Sequence, residues 1–155
     1  MTLRLEPLTS QWLARVVEIE NAGQLQPWTR TQFRQAFEDE RAILWGAFED
    51  DALVAYALLY RLPFDAELQA IAVIPEVRRR GIAQALLERL VAEANCWNNE
   101  RLLLEVRASN QAAYKLYEKQ GFKLDGRRRG YYRDLDGRWE DALLMSRRLA
   151  TAGAS

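Results

Sequence analysis

An apolar segment, a basic loop and a long amphipathic helix follow one another in the middle of the chain, and this succession most constrains the fold. Residues 67–74 are predicted to form a strand, and residues 81–97 a helix with leucine, isoleucine and alanine at helical spacing. Residues 101–106 predict another strand. Two strands joined through a helix are expected to pair in the parallel direction. The centre of the chain therefore predicts a mixed α/β fold with at least one parallel strand pair.

The residues before this centre predict an antiparallel half. A first strand near residues 3–8 precedes a helix over residues 10–21, which Gly23 would end. Thr29 and Gln32 have the spacing of a capping box, so a second helix is expected to begin at Thr29. Residues 42–48 and 53–62 flank a short acidic turn, which predicts a hairpin of two antiparallel strands.

The residues after the centre predict one more helix and two more strands. The helix is expected over residues 109–120, with Ser109 as its N-cap and Gly121 ending it in the left-handed conformation. Two strands within residues 122–149 would be joined by a turn at Asp136 and Gly137. The length of 155 residues suits one domain, expected over residues 1–149, followed by a flexible tail over residues 150–155.

The composition narrows the possible chemistry. The 22 basic and 22 acidic side chains cancel, which argues against direct nucleic-acid binding. The chain has no histidine and one cysteine, Cys96, which excludes Ser-His-Asp catalysis and an intrachain disulfide and argues against a metal site. No apolar run approaches the roughly 20 residues that span a bilayer, and no signal-peptide core is present, so a cytoplasmic location without membrane association is expected.

The loop before the long helix has the pattern of an anion-binding site. A helix start offers unpaired N–H groups and the positive end of the helix dipole. Gly81 and Ala83 would let an anion approach that backbone, and the adjacent run of three arginines would attract it. The pattern is neither a Walker loop nor a dinucleotide fingerprint. On the residues alone, an arginine-rich solvated loop before a core helix explains the segment equally well.

A second candidate site lies in the strand over residues 101–106 and in the helix that follows. Alternation places Leu104 and Val106 on one face and Glu105 on the other, close to the end of the strand where sites of parallel sheets lie. A carboxylate between apolar residues suits a general base, and Tyr117 on the next helix suits an acid. On spacing alone, an ion pair of Glu105 with Arg107 or another arginine, and a core role for Tyr117, are the simpler explanations.

Both segments resemble those of one enzyme family. The pattern Arg-x-x-Gly-x-Ala at 78–83, after Ile-Ala-Val, resembles the acetyl-coenzyme A (acetyl-CoA) motif of GNAT-type N-acetyltransferases. Leu-Glu-Val-Arg-x-Ser-Asn at 104–110 with Leu-Tyr-x-x-x-Gly-Phe at 116–122 is similar to RimI-type ribosomal-protein alanine N-acetyltransferases. So are Pro-Trp-Thr at 27–29, Arg-Arg-Gly-Tyr-Tyr at 128–132 and Glu-Asp-Ala at 140–142. The resemblance implies a GNAT fold: a mixed, mostly antiparallel sheet of about six to seven strands flanked by about four helices, with a parallel strand pair splayed around the cofactor.

The resemblance also implies a role for each matched residue. Glu105 would be the general base, and Tyr117 the general acid that protonates the departing thiolate. Contacts with acetyl-CoA would come from Ile71, Ala72, Val73, Arg78, Arg79, Arg80, Gly81, Ile82, Ala83, Gln84 and Asn110. Trp28, Tyr131 and Tyr132 would line the peptide groove. Gly130 stands where the family usually has asparagine, a departure that concerns peptide selectivity more than chemistry.

The implied reaction is direct attack of a protein α-amine on acetyl-CoA in a ternary complex, without a metal. The implied acceptor is the N-terminal alanine of a small-subunit ribosomal protein, and the enzyme would be a monomer or weak dimer. Neutralising an α-amine at pH 7 costs about 1 kcal/mol, against roughly 4 to 5 kcal/mol for a lysine amine, so a single carboxylate base favours the α-amine. The alternatives are an acetyltransferase acting on lysine or a small amine, and a non-catalytic acyl-CoA-binding module.

Overall fold

The computed structural model describes residues 2–133 and 136–150, which form a mixed α/β fold. In this part of the chain the strands are β1 (Leu3–Pro7), β2 (Ala42–Glu49), β3 (Ala52–Arg61), β4 (Asp65–Val73), β5 (Arg101–Arg107), β6 (Lys123–Arg133) and β7 (Trp139–Arg148). The α-helices are α1 (Leu13–Gly23), α2 (Arg30–Glu38), α3 (Ile82–Cys96) and α4 (Gln111–Lys119). Short 3₁₀ turns cover Ser10–Trp12 and Pro75–Val77. The described strands follow the order β1-β2-β3-β4-β5-β7-β6, so the predicted fold class is confirmed.

The chain divides into two compact units. The first unit comprises Met1–Tyr60 and Gln69–Leu90, and the second comprises Arg61–Leu68 and Val91–Ser155. The boundaries between the units therefore fall before the last residue of β3, within β4 and within α3. A single domain over residues 1–149 stays a prediction.

The first unit is built on the predicted antiparallel hairpin. β2 pairs with β3 in the antiparallel direction, with a bulge between Ala47 and Phe48, and β1 pairs with β2 on the other side. The side chains of Thr29 and Gln32 each accept a hydrogen bond from the other residue's backbone N–H, so the predicted capping box is confirmed. α1 ends at Gly23, as predicted.

The second unit contains the parallel pair. β4 pairs with β5 in the parallel direction through Asp65–Glu67 and Arg101–Leu103. β5 also pairs along its whole length with β7, in the antiparallel direction. The predicted alternation on β5 is confirmed, because Leu102, Leu104 and Val106 are all buried. Glu105 consequently projects from the opposite face of the strand.

The start of α4 corrects the sequence prediction. Asn110, not Ser109, is the N-cap, and its side-chain oxygen accepts a hydrogen bond from the Ala113 N–H at 3.2 Å. The Ser109 N–H instead donates to Glu140 Oε2 at 3.1 Å, which holds Ser109 in the turn before the helix. Gly121 follows the helix with φ +91°, so its predicted left-handed conformation is confirmed.

The C-terminal elements agree with their prediction as far as they are described. β6 and β7 pair in the antiparallel direction, and Gly137 has φ +78° between them. Of the predicted tail, Ala150 donates its N–H to Asn95 Oδ1 at 2.8 Å, and residues 151–155 lie outside the described residues. Among the described helices, none has the length and apolar character needed to cross a membrane.

Candidate active site

The first unit contains a helix start suited to an anion. Between β4 and α3 the backbone passes through left-handed conformations at Arg79 (φ +66°) and Gly81 (φ +78°). The Gly81 carbonyl accepts the Ala85 N–H at 3.0 Å, so the hydrogen-bond ladder of α3 starts at Gly81. The N–H groups of residues 82–84 therefore lie in the first turn, where an α-helix provides no partner for them. This end of α3 can bind a phosphate group.

Glycine at position 81 is explained by its backbone angle and not by packing. A Cβ atom placed on Gly81 would meet no atom within 4 Å, so packing does not exclude a side chain. The positive φ favours glycine, because a left-handed conformation costs other residues roughly 1–2 kcal/mol. The adjacent Ile82 side chain is buried, which leaves its backbone as the part available to a ligand.

The three arginines of the loop have different surroundings. Arg78 Nε donates to the Val73 carbonyl at 3.2 Å, and Arg78 Nη2 lies 2.6 Å from the point that a Cβ on Gly23 would occupy. Arg80 pairs with Glu49 at 3.4 Å. Arg79 is exposed at the left-handed position of the loop. Cofactor binding by all three arginines stays a prediction.

Trp28, which the family resemblance places in the acceptor groove, is held by two contacts. Its N–H donates to Glu20 Oε2 at 2.9 Å, and its ring lies 5.5 Å from the ring of Phe33. Because Thr29 is the N-cap of α2, the Trp28–Phe33 contact joins the N′ and N4 positions as in a hydrophobic staple. Trp28 is half-buried.

Glu105 in the second unit forms an ion pair with an arginine. Arg128 Nη1 lies 3.4 Å from Glu105 Oε1, with the Glu105 side chain 25% exposed and that of Arg128 53% exposed. The simpler explanation of Glu105 is therefore present in the structure, with Arg128 as the partner. Arg107 pairs instead with Glu140 at 2.7 Å. A half-exposed pair of this kind contributes little stability, so the carboxylate can exchange its partner.

Tyr131 and Tyr132 lie beside this ion pair. Their rings meet edge to face at 5.0 Å, with Arg128 over the Tyr131 ring at 5.2 Å and Arg107 over the Tyr132 ring at 4.3 Å. The pKa of Tyr132 is raised, first by burial and then by the negative charge of Glu105. The structure thus brings Glu105 together with both predicted acceptor-binding tyrosines.

Tyr117 is a buried tyrosine whose hydroxyl has no protein partner in the described part of the chain. Its side chain is 6% exposed, and its ring packs against Phe122 at 5.8 Å. Burial raises the pKa of Tyr117 to about 12, so the phenol stays protonated at neutral pH. The Tyr117 oxygen is not one of the fully buried side-chain atoms that lack a partner, so the hydroxyl keeps some exposure through which water or a ligand can reach it. Its role as a general acid stays a prediction.

Asn110 combines capping with its predicted cofactor contact. Its Oδ1 is used by the Ala113 N–H, whereas the side chain remains exposed at the start of α4. The amide NH₂ group can therefore donate to a ligand while the cap is kept. Cofactor binding by Asn110 stays a prediction.

Sequence reasoning did not assign roles to Glu140 and Asp141. Glu140 accepts hydrogen bonds from Arg107 and from the Ser109 N–H, which fixes the turn between β5 and α4. Asp141 accepts the Gly130 N–H at 2.9 Å and pairs with Arg127; these two contacts lower the pKa of Asp141, the Gly130 bond first. The signal was the Glu-Asp-Ala match at 140–142, which sequence alone could not connect to these partners.

Gly130 adopts a conformation that also suits the family's asparagine. Its φ is +59°, in the left-handed region that glycine and asparagine visit most readily. A Cβ atom there would lie 3.7 Å from the Trp139 Cβ, an ordinary contact distance. The departure from the family pattern therefore keeps the backbone that places Tyr131 and Tyr132.

A basic cavity in the second unit contains none of the predicted site residues. It has a volume of about 650 Å³, and its lining includes Arg101, Lys119, Lys123, Arg147 and Arg148. Arg147 donates to the Gln120 carbonyl at 2.6 Å, beyond the C-terminal end of α4, and Arg101 pairs with Asp65 at 3.3 Å. Arg147 therefore stabilises the end of α4, and Arg101 neutralises a neighbouring carboxylate, so both have structural roles.

The fold and these site residues define a class of protein, the N-acetyltransferases. The sequence model of the Acetyltransferase (GNAT) family matches residues 13–122, and the chain belongs to this family. The predicted family and the predicted enzyme class are therefore confirmed.

Two relatives of known name are similar to this chain over most of its length. The chain is 37% identical over 134 residues to the [ribosomal protein bS18]-alanine N-acetyltransferase of Escherichia coli strain K12, covering 86% of this chain and 89% of that protein. It is 32% identical over 142 residues to the enzyme of the same name from Haemophilus ducreyi, covering 92% of this chain and 97% of that one.

Solved structures show the same likeness. The crystal structure of the ribosomal-protein-S18-alanine N-acetyltransferase from Escherichia coli matches with a TM-score of 0.92 at 35% identity, covering 98% of this chain and 97% of that chain. Arabidopsis thaliana NAA60 in complex with a bisubstrate analogue matches with a TM-score of 0.87 at 18% identity, covering 97% of this chain and all of that one. The second match concerns the fold alone.

Proposed function

We propose that this enzyme transfers the acetyl group of acetyl-CoA to the α-amine of a protein N-terminus, and that its acceptor is the N-terminal alanine of a small-subunit ribosomal protein. The observation that carries the proposal is the half-buried Glu105 carboxylate beside the Tyr131–Tyr132 pair. The likeness to bS18-alanine N-acetyltransferases over 86% of the chain supports the choice of acceptor. Action as a monomer or weak dimer in the cytoplasm, where such an acceptor is made, belongs to the same proposal.

The first unit fits the cofactor. Acetyl-CoA supplies an activated acetyl thioester when bound. The N–H groups of residues 82–84 and the exposed Arg79 suit its diphosphate, because backbone donors at a helix start and a guanidinium both favour phosphate oxygens. Open space over Gly81 lets those oxygens approach the backbone. The backbone of Ile71, Ala72 and Val73 would hold the pantetheine arm.

The second unit supplies the proton transfers. Glu105 accepts a proton from the incoming ammonium, directly or through a water, which leaves the nitrogen lone pair free to attack the thioester carbon. Tyr117 holds its proton at neutral pH and donates it to the thiolate that departs when the carbon–sulfur bond breaks. The second proton that the nitrogen loses as the amide forms returns to the Tyr117 oxygen, and Glu105 releases the first proton to solvent. The Arg128–Glu105 pair opens to admit the ammonium, which replaces one cation with another at the carboxylate.

Gly81→Ala is expected to weaken coenzyme A binding by roughly 10- to 100-fold, the effect of losing one or two charge-assisted hydrogen bonds. The methyl group would enter the space above the backbone, and the left-handed φ of +78° would be strained. Calorimetric titration with coenzyme A measures this change.

Gly137→Ala is the matched control for that experiment. Gly137 has the same φ of +78° and likewise no atom within 4 Å of a Cβ position. The strain is therefore equal, and coenzyme A affinity should stay at the wild-type value. Equal losses of affinity in both variants would show that backbone strain alone is responsible and would remove Gly81 from the cofactor site.

Mass spectrometry of peptides incubated with enzyme and acetyl-CoA tests the acceptor. A peptide beginning Ala-Arg with a free N-terminus should gain one acetyl group, while the same peptide with a blocked N-terminus should gain none. Acetylation of a blocked, lysine-containing peptide would favour the lysine acceptor instead. Binding of coenzyme A without transfer to any peptide would favour the non-catalytic module.

A further inference from the structure

A buried carboxylate that the proposed mechanism does not use holds the backbone of Trp28. Glu20 on α1 is only 3% exposed. Its Oε2 accepts the Trp28 N–H at 2.9 Å, and its Oε1 accepts a hydrogen bond from the Tyr56 hydroxyl. Burying a carboxylate is costly unless its oxygens are hydrogen-bonded, and here each oxygen has a donor. The Trp28 amide is one of the two groups that make this burial possible.

The same tyrosine also supports the ring of Trp28. Tyr56 on β3 is fully buried, and its ring meets Phe33 edge to face at 5.4 Å. Phe33 in turn packs against the Trp28 ring at 5.5 Å. Trp28 is thus held at its amide through Glu20 and at its ring through Phe33, and both connections lead to Tyr56. We refer to Glu20, Phe33 and Tyr56 as the Trp28 clamp.

The clamp acts on a segment that has few other attachments to the core. Residues 24–27 and Thr29 are exposed, so Trp28 is the one residue between α1 and α2 that is half-buried. The Glu20 carboxylate and the Tyr56 hydroxyl are polar groups in a core position. At such positions, apolar side chains of similar size often give equal or greater stability. The carboxylate does fix the position of the Trp28 amide, which an apolar side chain at residue 20 could not do.

We propose that Glu20 is a positioning residue for acceptor recognition, acting by fixing Trp28. The proposal rests on the proposed function and on the predicted place of Trp28 in the acceptor groove. Glu20 is not part of the loop before α3 and has no contact with Glu105 among those described, so its loss is expected to change acceptor binding and to leave cofactor binding unaltered. The expected signature is a higher KM for the acceptor peptide at nearly constant kcat.

Two substitutions at Glu20 separate the hydrogen bonds from the charge. Glu20→Leu removes both acceptors and should raise the KM for a peptide beginning Ala-Arg by roughly tenfold, which corresponds to a loss of about 1.4 kcal/mol of acceptor binding. The KM for acetyl-CoA should stay within about twofold of the wild-type value. Glu20→Gln should restore most of the acceptor affinity, because its carbonyl can accept the Trp28 N–H while its NH₂ donates to the Tyr56 oxygen.

Val16→Ala is the control for general destabilisation. Val16 lies on the same helix and is fully buried, but it is not part of the Trp28 clamp. Hydrogen exchange at the Trp28 amide provides a second readout that does not depend on activity. Exchange there should accelerate in Glu20→Leu and stay slow in Glu20→Gln and Val16→Ala. If Glu20→Leu does not fold, Tyr56→Phe removes one donor from the carboxylate and should raise the acceptor KM by a smaller factor.

The outcomes distinguish this inference from the proposed function. Active Glu20→Leu enzyme with a wild-type acceptor KM, or an equal rise in KM in Val16→Ala, would overturn the positioning role alone. Wild-type enzyme that acetylates no peptide would overturn the proposed function and this role with it. A rise in acceptor KM confined to Glu20→Leu, together with faster Trp28 exchange, supports it.

Discussion

Tyr117→Phe is expected to lower kcat by roughly 10²–10⁴-fold, the range typical of losing a general acid. The substitution removes a hydroxyl that has no hydrogen-bond partner among the described residues and keeps the ring that packs against Phe122. Removing a hydroxyl that makes no hydrogen bond within the described residues should cost the fold little, so a loss of turnover with unchanged thermal unfolding cannot be attributed to unfolding. Steady-state kinetics with thermal unfolding of the same preparation measures both quantities.

Tyr114→Phe is the matched control, because Tyr114 is half-buried on the same helix and loses the same atom. Its kcat should stay within about twofold of the wild-type value. The pH profile gives a second check. Burial raises the pKa of Tyr117 to about 12, and a raised pKa moves the loss of the donating form to higher pH. Wild-type kcat should therefore show no decline centred near pH 10, where an ordinary tyrosine ionises. Undiminished turnover of Tyr117→Phe, with coenzyme A still bound, would remove the acid role.

Features set by neighbouring residues could be predicted from the sequence. The capping box of α2 needs only Thr29 and Gln32, three positions apart, and the left-handed end of α4 needs only Gly121. The face on which Glu105 lies follows from strand alternation, which has a period of two residues. In each case the deciding interaction lies within one turn or one strand, so a single sequence contains the whole signal.

The partner of Glu105 depends on long-range register. β7 lies between β5 and β6, with Leu144 opposite Glu105 and Ala142 opposite Arg128. The β6–β7 ladder also shifts in register between Leu124 and Gly126. A slip of one residue would turn the Arg128 side chain to the other face, and neither the strand order nor the shift is encoded locally. Sequence spacing therefore left an arginine partner open without naming Arg128.

The start of α4 and the Trp28 clamp show the same limit. Ser109 and Asn110 are both good N-caps, and the choice between them is made by Glu140, a residue of another strand that binds the Ser109 N–H. Glu20 meets Tyr56 only after α1 has packed against β3. Local propensity allows either Ser109 or Asn110 as the N-cap and marks Glu20 only as a helical glutamate. Tertiary contacts determine which residue caps α4 and what Glu20 binds.

Glu105→Gln is expected to lower kcat by roughly 10²–10⁴-fold, because an amide of the same shape cannot accept the proton of the ammonium. The deficit should depend on pH. An α-amine with a pKa of about 8 is roughly one-tenth neutral at pH 7 and mostly neutral at pH 9. At saturating peptide, the kcat of the variant should therefore rise about tenfold relative to wild type between pH 7 and pH 9. At the higher pH most of the amine has already lost its proton to solvent and needs no protein base.

Arg128→Gln separates loss of the base from loss of the ion pair. Both Glu105→Gln and Arg128→Gln break the 3.4 Å contact between these side chains, but only the first removes the carboxylate. Because the Arg128 side chain is 53% exposed, its pair with Glu105 contributes little to stability, and kcat of Arg128→Gln should stay within several-fold of wild type. Equal losses in the two variants would mean that the ion pair, not the proton-accepting carboxylate, is what turnover requires. A large loss in Glu105→Gln alone, reduced at high pH, is the result that a general base produces.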